Sequence, residues 1–196
     1  MNEKKITNVL VCGVGGQGII LASKLLSETA LNSGLDVKQS EVHGMSQRGG
    51  SVVSYIRFGE NVNSPLISLG DADFIVSFEK IETARYLDYA NKKTVLIVSD
   101  IELSPPSVNS GKFRYPENIE KLFELKNLTF HILSISKLID KVGNPKTVNT
   151  IMLGALSGFL SFPEDLWKKT IKETLPEKIL DVNLKAFDAG RNFCNI

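Results

Sequence analysis

The sequence predicts a three-layer α/β/α fold around a mostly parallel or mixed β-sheet, and three observations favour this class. Apolar segments of strand length alternate with longer amphipathic segments, which is the pattern of strands covered by helices. The first apolar segment runs into a glycine-rich turn and then a helix, as in a Rossmann-like βα unit. Residues 147–196 show helical periodicity alone, so we expect a helical C-terminus.

Length and composition favour a single domain. The chain has 196 residues, of which 42% are hydrophobic and 23% are charged, and this is ordinary for a globular domain with a buried core. The sequence contains no repeat, low-complexity segment or convincing domain boundary. We therefore expect residues 1–196 to fold as one domain.

Local patterns locate the individual elements. Short apolar or β-branched runs predict strands at residues 6–12, 35–40, 51–58, 73–78, 94–99 and 129–135. Helical spacing predicts helices at residues 16–33, 79–90, 147–159, 164–175 and 177–192. Gly34 follows the first helix as a C-terminal glycine does. The strand at 51–58 follows the strand at 35–40 with no helix between them, which favours a mixed sheet.

The stretch 101–118 is the least regular part of the chain. It contains Pro105, Pro106, Gly111 and Pro116, residues that interrupt both helices and strands. We therefore predict a long loop there.

Charge and cysteine content exclude several classes of function. The formal net charge is +1, so no strong field attracts nucleic acid or a membrane surface. Cys12 and Cys194 are the only cysteines, which is too few for an iron–sulfur cluster or a four-cysteine zinc site. With His43 and His131 as the only histidines, we expect no metal site. We also expect no signal peptide or membrane span, and hence a cytoplasmic protein.

The first candidate site is the glycine turn after the first strand. Gly13, Gly15 and Gly18 match the pattern G-x-G-x-x-G, and Gly16 and Gln17 lie between them. Such a turn can present backbone N–H groups to a pyrophosphate at a helix N-terminus. Two features count against a dinucleotide. Gln17 is large and polar, and no acidic residue closes the second strand cleanly. The alternative is a turn that only lets the helix pack closely on the strand.

The second candidate is the loop from residue 41 to residue 50, which contains Arg48, Gly49 and Gly50. An arginine among flexible glycines can bind a carboxylate or phosphate with two parallel hydrogen bonds. Because ligands bind at the carboxyl ends of strands, this loop should lie beside the first turn. The alternative is a structural arginine bound to a carbonyl or an acidic neighbour, an alternative that loses weight if the two loops meet.

No residue is predicted to be catalytic. His43 has neither a nucleophile nor a metal partner nearby in the pattern, so an ordinary polar role is favoured. Cys12 ends a strand and is interpreted as a buried small hydrophobe. Gly70-Asp71-Ala72 lacks the remainder of a diphosphate–magnesium motif, and no Ser-His-Asp, P-loop or H-E-x-x-H arrangement occurs.

Taken together, Gly13-Val-Gly-Gly-Gln-Gly18 and Arg48-Gly49-Gly50-Ser-Val resemble the gamma-type subunits of the 2-oxoacid:ferredoxin oxidoreductase family. The resemblance covers about the first hundred residues and continues more weakly through residues 149–154. Pyruvate-type members usually carry Tyr-Gly-x-Glu-x-Arg-Gly-Gly at the second motif, whereas this chain has His43 and Ser46 at the tyrosine and glutamate positions. This version is similar to the small subunits of the indolepyruvate branch and favours an aryl-pyruvate substrate.

The resemblance implies a reaction, and it implies which subunit binds the cofactors. An aryl 2-oxoacid, coenzyme A and oxidised ferredoxin would give acyl-CoA, carbon dioxide and reduced ferredoxin. Thiamine diphosphate, Mg²⁺ and the iron–sulfur clusters would lie on a large partner subunit, so this chain alone would bind no cofactor and have no complete active site. Its two glycine loops would line the path of substrate or coenzyme A. The implied cofactor-binding residues are Gly13, Gly15, Gly16, Gln17, Gly18, Arg48, Gly49 and Gly50.

The sequence alone is also compatible with two other functions. A self-contained NAD- or FAD-binding oxidoreductase domain would use the first turn for its dinucleotide. A regulatory domain would bind a small anion between the loops. A subunit of a complex should also expose an apolar patch, through which a homodimer could form when the chain is isolated.

Overall fold

A computed structural model describes residues 6–43 and 49–195. Its centre is one six-stranded sheet with the order β2-β3-β1-β4-β5-β6. The strands are β1 (Thr7–Val14), β2 (Asp36–His43), β3 (Ser51–Gly59), β4 (Ala72–Ser77), β5 (Ala90–Ser99) and β6 (Thr129–Leu133). The helices are α1 (Ile19–Asn32), α2 (Lys80–Arg85), α3 (Pro106–Asn109), α4 (Glu120–Leu125), α5 (Ile135–Val142), α6 (Val148–Ser157), α7 (Glu164–Thr174) and α8 (Glu177–Arg191).

The sheet is mixed, as the sequence predicted. Strands β1, β4, β5 and β6 pair in parallel, while β3 is antiparallel to both of its neighbours, β1 and β2. In the β1–β3 register Val14 lies opposite Ser51. The end of β1 and the start of β3 are therefore neighbours, so the loops that extend from them leave the sheet at the same edge.

Alternate side chains of each strand enter two different cores, because successive residues of a strand point to opposite faces. On one face, Val9 and Val11 of β1 pack with apolar residues of α1, α5, α6, α7 and α8. On the other face, Leu10 and Cys12 pack with residues that include Leu87 and Phe123. The result is the predicted α/β/α layering, with the larger helical layer on the α1 side. No described helix has the length and apolar character needed to cross a bilayer.

The structure corrects several predicted boundaries. Helix α1 begins at Ile19 rather than at residue 16, because Gly16 and Gly18 have left-handed φ values of 105° and 82°. Strand β2 is longer than predicted. It extends to His43, because its backbone pairs with β3 up to the pair His43–Val52. The helix predicted over residues 79–90 is only one short helix followed by a 3₁₀ turn.

Two helices were missed, α4 and α5, and one turn of helix, α3, lies inside the predicted long loop. The missed helices have six and eight residues, too short to show several turns of helical periodicity. Helix α5 is instead stabilised by tertiary contact, because Asp100 accepts hydrogen bonds from Ile135 N at 3.0 Å and from Ser134 Oγ at 3.1 Å.

Helices α6 and α8 cross at their glycines. A Cβ added to Gly154 would overlap the carbonyl oxygen of Phe187 and lie 2.9 Å from Arg191 N. A Cβ added to Gly190 would overlap the carbonyl oxygen of Ile151 and lie 3.0 Å from Ala155 N. Each helix therefore approaches the other's backbone at a position that only glycine can occupy. This crossing holds α6, whose N-terminal end lies beside the glycine turn, against the rest of the helical layer.

Candidate functional site

The two glycine loops meet at the carboxyl edge of β1. Gly15 N donates a hydrogen bond to Gly50 O at 2.9 Å, one residue beyond the last paired residues of β1 and β3. The two loops therefore meet, and the interpretation of Arg48 as a purely structural arginine loses weight. In α/β sheets this edge is where ligands bind.

The side chain of Gln17 stabilises the first glycine turn through two hydrogen bonds. Its Oε1 accepts a hydrogen bond from Val14 N at 2.7 Å, and its Nε2 donates to Phe78 O at 2.8 Å. The side chain thus joins the end of β1 to the segment that follows β4. Gly13 makes room for it, because a Cβ there would lie 2.7 Å from Gln17 Oε1 and 2.8 Å from Phe78 Cβ.

The N-terminus of α1 is not capped by a side chain of the described residues. Gly18 is its N-cap residue and makes no side-chain cap, and the first turn contains no acidic residue. The first N–H groups of a helix have no acceptor within the helix, and together with the helix dipole they attract anions. The turn thus leaves a small region of positive potential open at its surface.

A cavity of about 450 Å³, which we call the α6-side cavity, lies against this helix terminus. Gly16, Gly18, Lys146 and Asn149 line it. Asn149 is 5% exposed, and its Oδ1 has no hydrogen-bond partner among the described residues. A buried acceptor without a partner costs about 1–3 kcal/mol, so it marks a place where a ligand group or water completes the site.

A second cavity of about 600 Å³, the α2-side cavity, lies on the other side of the same turn. Gly15, Gly49 and Gly50 line it, together with the polar side chains Glu82 and Arg85. Both glycine turns therefore contribute backbone to one space. The volume lies within the range of about 300–1,000 Å³ that is usual for small-molecule sites.

Glu82 connects the second glycine turn to helix α2. It is 5% exposed, accepts a hydrogen bond from Ser51 Oγ, and accepts one from Arg85 Nε at 3.2 Å. Tyr86 Oη lies 3.3 Å from Ser51 Oγ and extends the network. Arg85 itself is about half exposed, so a buried carboxylate fixes one end of a cation that borders the cavity.

Glu79 fixes the opposite wall of the α2-side cavity. It accepts hydrogen bonds from Glu82 N at 2.9 Å, Leu103 N at 3.1 Å and Tyr115 Oη at 2.7 Å. Burial, and secondarily the bond to Glu79, raises the pKa of Tyr115 above its ordinary value, so this phenol remains a donor. The loop after β5 is thereby tied to the start of α2.

Cys12 is buried, as predicted, with its Sγ 3.7 Å from Glu82 O. Burial raises the pKa of the thiol well above its ordinary value, which makes it a poor nucleophile. It belongs to the core and not to the chemistry of the site.

A larger open cavity of about 810 Å³ lies beside α4. Lys80 at its rim pairs with Glu102 at 3.1 Å and with Glu120 at 2.9 Å. Because these charges are satisfied by one another and the glycine turns do not border this cavity, it is not the candidate site.

The structure brings together the described residues of the two predicted motifs, and their role in binding a ligand stays a prediction. Those residues are Gly13, Gly15, Gly16, Gln17, Gly18, Gly49 and Gly50. Arg48 lies outside the described residues, as does the side chain of His43. Sequence reasoning missed Lys146, Asn149, Glu82 and Arg85, which have no motif of their own. Only their position in the tertiary structure distinguishes them, although residues 149–154 carried a weak resemblance.

A mixed α/β/α domain with paired glycine loops at the carboxyl edge of its sheet has the arrangement in which α/β proteins commonly bind ligands. A family model described as "Pyruvate ferredoxin/flavodoxin oxidoreductase" matches residues 8–193. The chain belongs to this family.

Individual relatives agree with this assignment. "Indolepyruvate oxidoreductase subunit IorB" of Archaeoglobus fulgidus is 39% identical, with 94% of each chain covered. The keto/oxoacid ferredoxin oxidoreductase gamma subunit of Geobacter sulfurreducens superposes with a TM-score of 0.72 at 22% identity, over 96% of this chain and 98% of that one. The predicted family is confirmed, as is the prediction that the chain is a subunit of an oxidoreductase of this kind.

A larger enzyme contains the same fold as one part. 2-Oxoglutarate:ferredoxin oxidoreductase of Magnetococcus marinus, solved with 2-oxoglutarate, coenzyme A and succinyl-CoA bound, superposes with a TM-score of 0.76 at 22% identity. The match covers 98% of this chain but only 32% of the Magnetococcus chain. The unit described here thus also occurs within a longer polypeptide.

Proposed function

We propose that this chain, folded as one domain over residues 1–196, is the small subunit of an aryl 2-oxoacid:ferredoxin oxidoreductase acting on substrates such as indolepyruvate. An aryl 2-oxoacid and coenzyme A form an acyl-CoA and carbon dioxide, and the electron pair passes to ferredoxin. Support for the substrate class comes from the 39% identity to an indolepyruvate oxidoreductase subunit over 94% of both chains and from His43 and Ser46 in the second motif. The cytoplasm, where coenzyme A and ferredoxin are available, is its expected location.

The redox chemistry belongs to a large partner subunit. The sequence has two cysteines, and Cys12 is buried with a thiol that resists ionisation, so the residues present do not fit an iron–sulfur cluster. No described group of residues fits a metal ion that would hold thiamine diphosphate. Neither group is therefore assigned to this chain.

The observation that carries the proposal is the uncapped N-terminus of α1 where it borders the α6-side cavity, beside the point at which the two glycine loops meet. Coenzyme A carries a pyrophosphate, and the N–H groups at the start of α1 and Lys146 would bind its charge. Asn149 Oδ1 is buried and has no hydrogen-bond partner among the described residues, and coenzyme A offers hydroxyl, amide and amino donors that it could accept from. Arg48 would contribute a further cation beside Gly49 and Gly50.

The large partner would cover the edge of the sheet that carries this site. Ile20, Val42 and Leu103, all near the loops, are between 42% and 52% exposed. Because the coenzyme must reach a thiamine adduct on the partner, that edge is where the two chains have to meet. Exposed apolar side chains around a polar site are typical of such an interface.

Replacing Asn149 by alanine tests the coenzyme A site. We expect the KM for coenzyme A to rise about 10-fold in the assembled enzyme, since a lost hydrogen bond of about 1.4 kcal/mol corresponds to that factor. Thermal stability should not fall, because the unpaired Oδ1 is removed together with its cost. Steady-state kinetics and a melting curve measure the two effects.

Lys146→Ala and Arg48→Ala should raise the same KM, and Lys172→Ala on α7 is the matched surface control. The KM for the oxoacid should respond less than that for coenzyme A. Unchanged Michaelis constants for both substrates in Asn149→Ala and Arg48→Ala would exclude these residues from the site.

Co-expression with a large thiamine- and cysteine-cluster-bearing chain tests the subunit assignment. We expect a stable complex and no thermal shift of the isolated chain with NAD, NADP or FAD. A dinucleotide-induced shift without a stoichiometric partner would support a self-contained oxidoreductase instead. A shift with small anions alone would support the regulatory domain.

A further inference from the structure

The buried carboxylate of Glu82 is hydrogen-bonded to the residue that follows the second glycine turn. Ser51 directly follows Gly50, and Ser51 Oγ donates to Glu82. Gly50 O in turn accepts the hydrogen bond from Gly15 N at 2.9 Å. A chain of contacts therefore leads from Glu82 through Ser51 to the point where the two turns meet.

The same carboxylate also holds Arg85. Glu82 Oε1 accepts the hydrogen bond from Arg85 Nε at 3.2 Å, and the terminal guanidinium nitrogens make no hydrogen bond to another described residue. Arg85 borders the α2-side cavity together with Gly15, Gly49 and Gly50. Because guanidinium groups bind oxyanions through paired N–H groups, its orientation matters for any anionic ligand there.

Both oxygens of Glu82 are thus engaged while its side chain is 7% exposed. Ionised carboxylates are rarely buried unless paired and hydrogen-bonded, and each of these partners acts on one wall of the cavity. The arrangement couples a backbone turn and a cation to one group.

We propose that Glu82 is a positioning residue of the ligand site: through Ser51 it fixes the second glycine turn, and through Arg85 it fixes a cation at the same cavity. The kinetic consequence rests on the proposed coenzyme A site, whereas the effect on the turn does not. The role assigned to Glu82 is to hold these two groups in place, and no chemical step is assigned to it.

Amide hydrogen exchange in the full-length chain tests the first half of the proposal. In Glu82→Ala and in the milder Ser51→Ala, the Gly15 amide should exchange at least about 10-fold faster than in the wild type, because its acceptor turn loosens. Glu82→Gln keeps an acceptor for Ser51 Oγ and should restore most of the protection. Glu173→Ala and Ser161→Ala, at exposed positions far from the turn, are the matched controls.

Kinetics of the assembled enzyme test the second half. Glu82→Ala should raise the KM for coenzyme A about 5- to 20-fold with kcat changed less than about 2-fold, and Arg85→Gln should raise it without altering Gly15 exchange. Unchanged Gly15 exchange in both Glu82→Ala and Ser51→Ala overturns the proposal. Faster exchange with an unchanged KM keeps the positioning of the turn but contradicts a coenzyme A site there.

Discussion

Gly154→Ala should lower the free energy of unfolding by about 3–5 kcal/mol. The new Cβ would meet the carbonyl oxygen of Phe187 and the backbone nitrogen of Arg191. Backbone atoms cannot move away by changing a rotamer, so α6 and α8 would have to separate. Gly190→Ala should behave alike, because its Cβ would meet Ile151 O.

The expected change in the free energy of unfolding has the opposite sign to the change that helix propensity alone predicts. Alanine stabilises a helix interior by about 0.5–1 kcal/mol relative to glycine, so destabilisation can come only from the helix crossing. Denaturant unfolding of both variants measures it, and a loss of about 4 kcal/mol corresponds to roughly 8–16 °C in Tm for a chain of this size. Gly158→Ala is the control, since Gly158 is exposed at the C-cap of the same helix with φ at −68°. Wild-type stability of Gly154→Ala would show that the helices are not packed this closely.

Gln17→Leu should open the first glycine turn. The substitution keeps the volume but leaves Val14 N and Phe78 O without their partners, at a cost of about 2 kcal/mol or more. Because the turn carries the anion-binding N–H groups, the KM for coenzyme A should also rise by at least about 10-fold. Thermal unfolding and steady-state kinetics of the assembled enzyme measure the two effects.

Gln39→Leu provides the comparison for Gln17→Leu. Gln39 lies on the edge strand β2, and its side chain hydrogen-bonds to Ser27 at 2.6 Å, Glu41 at 2.8 Å and Ser54 at 3.4 Å, so Gln39→Leu should also lower stability but leave the KM for coenzyme A unchanged. Equal effects of the two variants on stability and on KM would contradict a special role for Gln17. The same outcome would return the first turn to the simpler interpretation of close helix packing.

Much of the fold was predictable because its elements are long and strongly patterned. The first strand, the helix that follows and the C-terminal helices were located to within about three residues, since burial on one face imposes a clear period on the sequence. The missed helices α4 and α5 are short, and they are stabilised by contacts such as that of Asp100 with Ile135 N rather than by their own periodicity. The absence of a helix between β2 and β3 correctly indicated an antiparallel strand.

The candidate site was predictable only in its backbone part. Glycines mark turns because their conformational freedom is visible in the sequence, so Gly13–Gly18 and Gly49–Gly50 could be recognised as a pair. Asn149 and Glu82 are ordinary residues on helices, and their importance depends on what lies opposite them. Gln17, which counted against a dinucleotide in the sequence, is in the structure the brace of the turn.

The sequence by itself determined the fold class, the family and the lack of cysteines for a cluster, because periodicity, motif spacing and composition are properties of the chain alone. The tertiary structure alone decided that Gly15 and Gly50 are hydrogen-bonded, that Asn149 has a buried oxygen without a partner, and that Glu82 links Ser51 to Arg85. Distances between residues 30 to 130 positions apart follow from strand order and helix packing. Whether a polar atom is satisfied depends on those distances, and no local pattern encodes them.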